Sequence, residues 1–214
     1  MRLILIRHGE TGHNRGNVTL GRADVPLTYR GLAQARAAAA SFTRPPDAIY
    51  SSPLSRALRT AEIIGAQAVR TPAVEGALIE MDVGEMEHLT GAELRERYPE
   101  FLRIWMSGDC ADVRMPGGET LREVQERAWS AVERIATRHT GATVAAVTHN
   151  FVISMLVCRA LDLPIAGFRR MRPGLGSRTV IDLGERGPML VQFNDISHLL
   201  AAGLADDSMG EARR

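Results

Sequence analysis

Three places along the 214-residue chain carry side chains that could do chemistry. Arg7-His8-Gly9 follows the apolar run LILI. Ser51-Ser52-Pro53 follows DAIY, with Arg56 shortly after, and Thr148-His149-Asn150 follows ATVAAV. A histidine ring can attack or donate near neutral pH, and arginine offers a rigid fork of donors that matches an oxyanion. Two of each in one crevice would hold and polarise an anion. The chain contains no lysine, so all 26 basic residues are arginine. That excludes a Schiff-base lysine, a Walker-type phosphate loop and a catalytic-lysine hydrolase. Any phosphate handled here falls to arginine and histidine.

The elements that must position these residues follow from periodicity and punctuation. RLILIR (2–7) and ATVAAVT (142–148) are apolar throughout and read as strands buried on both faces. Further strands are expected at 47–51, 70–74, 178–183 and 189–193. Helices are expected at 27–42 with Thr28 as N-cap, from Pro53 through LSRALRTAEIIGAQA, at 90–98, near 99–106 opened by Pro99, and at 151–161. The helix expected at 120–139 sets Leu121, Val124, Ala128, Val132 and Ile135 on one face, after a turn at MPGGET. Alternating strands and helices predict an α/β fold, a three-layer sandwich with a mainly parallel central sheet. Such sheets bind ligands outside the carboxyl ends of their strands, where all three constellations would lie. Helices opening after Ser52 and His149 would add backbone N–H groups to the crevice. Gly9 would let backbone approach closely. Absence of repeats or linkers predicts a single domain over 1–200. The methionine-rich stretch at about 81–118 reads as an insertion or lid, its methionines as packing, and 201–214 as a flexible tail.

Bulk properties narrow the function. The chain is 45% hydrophobic and 24% charged with a net charge of +1, as in a soluble globular protein without a nucleic-acid or membrane partner. MRLILIRHGE is too short for a secretory signal, and a cytoplasmic address is expected. Cys110 and Cys158 make neither a disulfide framework nor a zinc site, and no HxH, HExxH or paired-carboxylate spacing predicts a metal. His13, His88, His139 and His198 are read as structural. His139 suits a helix C-terminus, and His88 could also line the pocket.

LIRHGET with Asn14, SSPLSRALRTAE, Glu80 within LIEMDVGEMEHLT, PGGET and VTHN follow one another in that order. Together, over roughly residues 2 to 160, they resemble the histidine phosphatase superfamily, which includes the cofactor-dependent phosphoglycerate mutases. The resemblance implies a phosphoglycerate mutase-like fold and a covalent phosphohistidine mechanism without cofactor. His8 would attack phosphorus, Arg7 and Arg56 would clamp the non-bridging oxygens, and His149 would donate to the transferring group. Glu80 would protonate the leaving oxygen and then activate water. It is preferred to Asp82, Glu85 and Glu87 because Leu78, Glu80, Gly84 and Glu87 match the family spacing together. Asn14, Gly21 and Asn150 join Arg7 and Arg56 as expected substrate contacts. Two positions depart from the family: Met86-Glu87-His88 replaces Trp-Glu-Gly, and Asn150 replaces a glycine.

The expected activity is hydrolysis of a small phosphorylated metabolite. One alternative is a phosphoglycerate mutase, and another is an inert phosphate-binding module. The module is disfavoured because no member of the expected set is missing. In the mutases an Arg-Arg pair would follow IW, where this chain has Met106 and Ser107, and a hydroxyl residue would precede GRAD, where it has Leu20. Arg103 and Arg114 could replace the pair from nearby. A homodimer is compatible with all three readings.

Overall fold

The run LILI feeds two hydrophobic cores at once. In the computed structural model, which describes residues 1–108 and 110–205, Leu3 and Leu5 of strand β1 (Arg2–Arg7) face one core, while Ile4 and Ile6 face the other. The same alternation holds in β4 (Thr143–Thr148), with Val144 and Ala146 on one side and Ala145 and Val147 on the other. Successive strand side chains point to opposite faces, so a continuously apolar strand belongs at the centre of a sheet covered on both sides. Helices α2 (Tyr29–Ala40) and α3 (Ser55–Ala68) cover one face. Helices α6 (Leu121–Arg138) and α7 (Asn150–Ala160) cover the other. The five apolar positions expected on one face of α6 are all buried.

With β2 (Ala48–Ser51), β3 (Ala73–Val74), β5 (Arg178–Gly184) and β6 (Gly187–Asp195), the sheet order is β3-β2-β4-β1-β5-β6. The first four strands are mutually parallel. β5 runs antiparallel to β1, and β6 antiparallel to β5. Register explains the convergence of the three constellations. Arg7 pairs with Thr148, and Ser51 pairs with Val147. One further hydrogen bond on each side, His8 N–H to the Thr148 carbonyl and Ser52 N–H to the Val147 carbonyl, both 3.0 Å, extends the ladders. His8, Ser52 and His149 therefore leave the sheet along one edge.

Several local features differ from expectation. α3 begins at Ser55, not at Pro53, because Leu54 is extended (φ −68°, ψ 136°) and the first helical N–H goes to Asp24 Oδ1 at 2.7 Å. A four-residue helix, α1 (Gly12–Arg15), was not expected from GHNR. Thr11 and Asn14 make it by a reciprocal capping box. A 3-10 turn at Ile165–Arg170 was also not foreseen. The sequence points to fraying from about 201, yet a last helix, α8 (Ser197–Ala201), leads to residues held by α2: Arg30 donates to the Ala205 carbonyl and Gln34 to that of Leu204. The rest of the tail lies outside the described residues.

The 81–118 stretch holds α4 (Gly91–Arg97) and α5 (Pro99–Trp105). Met81, Met86 and Met115 pack into the main core, as expected of gap-filling side chains, whereas Met106 is exposed. Gly9 does let backbone approach closely, but the partner is the chain itself. A Cβ on Gly9 would collide with the Gly31 carbonyl, and one on Gly31 with that of Glu10. The loop after β1 thereby rests directly on the first turn of α2.

Candidate active site

His8 emerges buried at the end of β1. Its Nδ1 lies 2.8 Å from the Gly9 carbonyl oxygen, and a carbonyl can only accept. Nδ1 therefore carries the proton, and Nε2 keeps its lone pair. Burial, then the charges of Arg56 and Arg7, push the His8 pKa well below its ordinary value. The ring is drawn to its neutral form, with the Nε2 lone pair free.

Arg56, in the first turn of α3, has no exposed surface. Its terminal nitrogens donate to the carbonyls of Gly21 (2.6 Å) and Ala23 (2.7 Å). The N–H groups of the same loop, from Gly21, Arg22 and Ala23, all donate to the Glu87 carboxylate at 2.7, 2.8 and 3.0 Å. Peptide groups thus separate the guanidinium from a fixed negative charge. Arg56 Nε is buried without a hydrogen-bond partner. Gly21, expected as a substrate contact, has its N–H on Glu87 and its carbonyl on Arg56, so it supports the arginine. A Cβ there would stand 2.7 Å from the Met81 carbonyl oxygen.

His149 is fully buried, its ring centroid 5.1 Å from that of His8. Nε2 is 2.7 Å from Ser52 Oγ, which also accepts the Leu54 N–H. Burial, then His8 and the arginines, lower the His149 pKa, so the ring is neutral. If the Ser52 hydroxyl donates to Nε2, the proton sits on Nδ1. That atom is buried and has no partner. Ser52 received no role from the sequence, because a partner 97 residues away leaves no local signal.

Glu80 is the buried carboxyl of its neighbourhood. Burial raises its pKa, against the opposing effects of the Met81 and Phe151 N–H groups and of Arg56 and Arg7. The nearby carboxylates are committed elsewhere: Asp82 to Arg22 and the Gly84 N–H, Glu85 to the Tyr98 hydroxyl, Glu87 to the 21–23 loop. The expected backbone donors at the two helix N-termini are partly engaged, since Ser55 N–H meets Asp24 and Phe151 N–H meets Glu80 Oε2.

Arg7 ends β1 and donates to the Pro173 carbonyl. The Asn14 Oδ1 is occupied by the α1 capping box, which leaves its amide NH2 as the group able to donate outward. Asn150 is the first residue of α7. Of the remaining histidines, His139 caps α6 and meets the Tyr50 hydroxyl, and His198 meets the Gly176 carbonyl. His88 is exposed in the left-handed region (φ 66°) and pairs with His13 at 2.8 Å. Among the described residues, no group of three or more His, Cys, Asp or Glu side chains is placed to hold a metal, and no helix is long and apolar enough to cross a membrane.

A bare imidazole nitrogen, a buried carboxyl and two fixed cations can attack, protonate and hold a phosphoryl group. Comparison with known proteins identifies the family. The family model described as histidine phosphatase superfamily (branch 1) matches residues 3–196, and the chain belongs to that superfamily. Phosphoserine phosphatase 1 of Hydrogenobacter thermophilus is 32% identical over 200 residues, 93% of this chain and 94% of that protein. Phosphoglycerate mutase-like protein 4 of Arabidopsis thaliana is 30% identical over 215 residues, 99% of this chain and 92% of that protein. A mutant phosphoserine phosphatase from Entamoeba histolytica, solved in complex with phosphoserine, superposes with a TM-score of 0.85 at 27% identity, covering 92% of this chain and 98% of its own.

The lowered pKa of His8 has a consequence for stability. A group depressed in the folded state contributes stability above its unfolded value, about 6.5 for histidine, and loses it as pH falls. Glu80, raised on folding, works in the opposite direction. Relative to His8→Asn, the wild type should lose unfolding free energy between about pH 7 and pH 5, at up to about 1.4 kcal/mol per pH unit. Urea titration of both proteins checks this. A difference that stays flat with pH would mean that His8 titrates alike in both states.

Proposed function

We propose that the chain is a metal-independent phosphatase that hydrolyses a small phosphomonoester through a phosphohistidine on His8. The observation that carries this reading is the His8 ring, neutral, fixed by Gly9 and presenting Nε2 beside Arg7, Arg56 and His149. In the first step the Nε2 lone pair forms the N–P bond as the ester P–O bond breaks. The departing oxygen keeps that electron pair and takes the Glu80 proton, releasing an alcohol. Arg7, Arg56 through Nε–H, and His149 through Nδ1–H hold the non-bridging oxygens, with Asn14 and Asn150 at the rim. In the second step water attacks phosphorus and gives its proton to the Glu80 carboxylate. The P–N bond returns its pair to His8, leaving inorganic phosphate and the starting protonation states.

A mutase reading draws support from the name of the Arabidopsis relative. It needs cationic anchors for a second charged group of the substrate. Arg103 is paired with Glu100 and Arg114 with Glu123, while Met106 stands exposed. Hydrolysis of a singly phosphorylated compound fits better. Phosphoserine, named in one relative and bound in one solved structure, is a substrate of this kind.

Two assays separate these readings. With 3-phosphoglycerate and catalytic 2,3-bisphosphoglycerate, the protein should release inorganic phosphate with EDTA present and form no 2-phosphoglycerate. Isomerisation outpacing phosphate release would establish a mutase, and a requirement for divalent metal would remove the mechanism. Glu80→Gln should lower kcat/KM for phosphoserine by about 10²–10⁴-fold, but by less than about tenfold for p-nitrophenyl phosphate, whose leaving group needs no proton. Equal losses would take the acid role from Glu80.

A further inference from the structure

Arg127, on the face of α6 turned toward the 77–82 segment, makes a contact set that an ordinary ion pair does not require. Its Nε donates to Glu119 Oε1 (3.0 Å). Its Nη1 donates to the carbonyls of Ala77 and Ile79, both at 2.7 Å. Its Nη2 donates to the Glu80 carbonyl (3.1 Å) and to Glu119 Oε2 (3.0 Å). A guanidinium has five N–H groups, and here each has an acceptor. Glu119 is filled as well. Beyond the Arg127 fork, its Oε2 accepts the Asp82 N–H (2.9 Å) and its Oε1 meets Arg22 Nη2 (2.8 Å). The pair is largely enclosed, with side-chain exposures of 19% and 17%, so it is not a solvated surface bridge of little worth.

These bonds fall on the backbone to either side of Glu80. Residues 79–83 belong to no helix or strand, so no regular ladder fixes them. Carbonyls 77, 79 and 80 are gripped by Arg127, and the amide of residue 82 by Glu119. Arg22 also reaches Asp82 (3.3 Å) and the Glu80 carbonyl (3.4 Å), and it lies in the loop that receives Arg56. One network therefore relates the carboxyl at Glu80 to the buried arginine at Arg56.

We infer that Arg127, locked by Glu119, is the positioning residue that places the Glu80 carboxyl for proton transfer, an inference that rests on the reading of Glu80 as the acid. Arg127 touches no reacting atom; its hydrogen bonds reach the site through the backbone at residues 77, 79 and 80, and its charge, which also lowers the His149 pKa, is kept by lysine. Lysine has at most three donors and no fork, so it cannot reproduce the set. Loss of the fork lets the acid drift while His8, Arg7 and Arg56 remain. Displacements of about 1 Å can cost about 10²-fold in rate, so the loss should appear where a proton must be delivered.

The test compares Arg127→Lys, Glu80→Gln and the double variant in the full chain, with circular dichroism and thermal unfolding to confirm folding. For each, kcat/KM is measured on phosphoserine and on p-nitrophenyl phosphate. Arg127→Lys should lower the phosphoserine to p-nitrophenyl phosphate ratio by about tenfold or more. In the Glu80→Gln background it should leave that ratio unchanged, because there is no acid left to place. Equal losses on both substrates, or a further fall of the ratio in the double variant, would overturn the inference. If Arg127→Lys does not fold, Glu119→Gln carries the same comparison and the same outcomes. A leaving-group effect in Glu80→Gln without one in Arg127→Lys defeats the inference alone. Its absence from Glu80→Gln defeats the acid assignment and the inference together.

Discussion

A guanidinium with no exposed surface, and with Nε left without a partner, is the constraint on which the site depends. Burying a cation is costly unless it is compensated, and a carboxylate in direct contact would compensate Arg56 by occupying its donors. The chain instead passes the compensation through peptide groups. Glu87 takes three N–H groups of the 21–23 loop, and two carbonyls of that loop take Arg56. The dipoles point the same way, so negative charge is felt at Arg56 without covering it. Much of the surrounding structure serves this arrangement. Gly21 must lack a side chain beneath Met81, and Asp24 of the adjoining turn caps the helix that carries Arg56.

The same burial acts in opposite directions on the group that would attack phosphorus and the group that would deliver the proton. It lowers the pKa of His8, by disfavouring the imidazolium, and raises that of Glu80, by disfavouring the carboxylate. Both groups are thereby drawn toward their neutral forms between fixed arginines. A nucleophile with a free pair and an acid with a proton can then coexist within one crevice. The positive charge that remains belongs to residues that do not titrate near neutrality, which suits a site built for an anion.

The sheet and the principal motifs were legible because they are local. Apolar runs give β1 and β4 their place at the centre, and strand ends give His8 and His149 theirs. Longer-range causes were not legible. α3 starts two residues late because its first N–H is taken by Asp24, 31 residues earlier. α1 forms from poor helix formers because Thr11 and Asn14 cap each other. The antiparallel β5–β6 edge is not encoded in any single strand's pattern. At the site, the types of Arg56, Glu80 and His149 were readable, but Ser52, Glu87, Glu119 and Arg127 became meaningful only once distant segments met. Glu87 was read as an alternative to Glu80, and the geometry gives it different work on the 21–23 loop.

Transfer of the phosphoryl group to His8 is tested most directly by quenching turnover of a radiolabelled phosphomonoester in alkali and mapping the labelled peptide. The expected product is an acid-labile, base-stable phosphohistidine on His8, attached through Nε2 because Nδ1 is held by the Gly9 carbonyl, and absent from folded His8→Ala. An acid-stable phosphoenzyme, or labelling that persists in His8→Ala, would contradict the account.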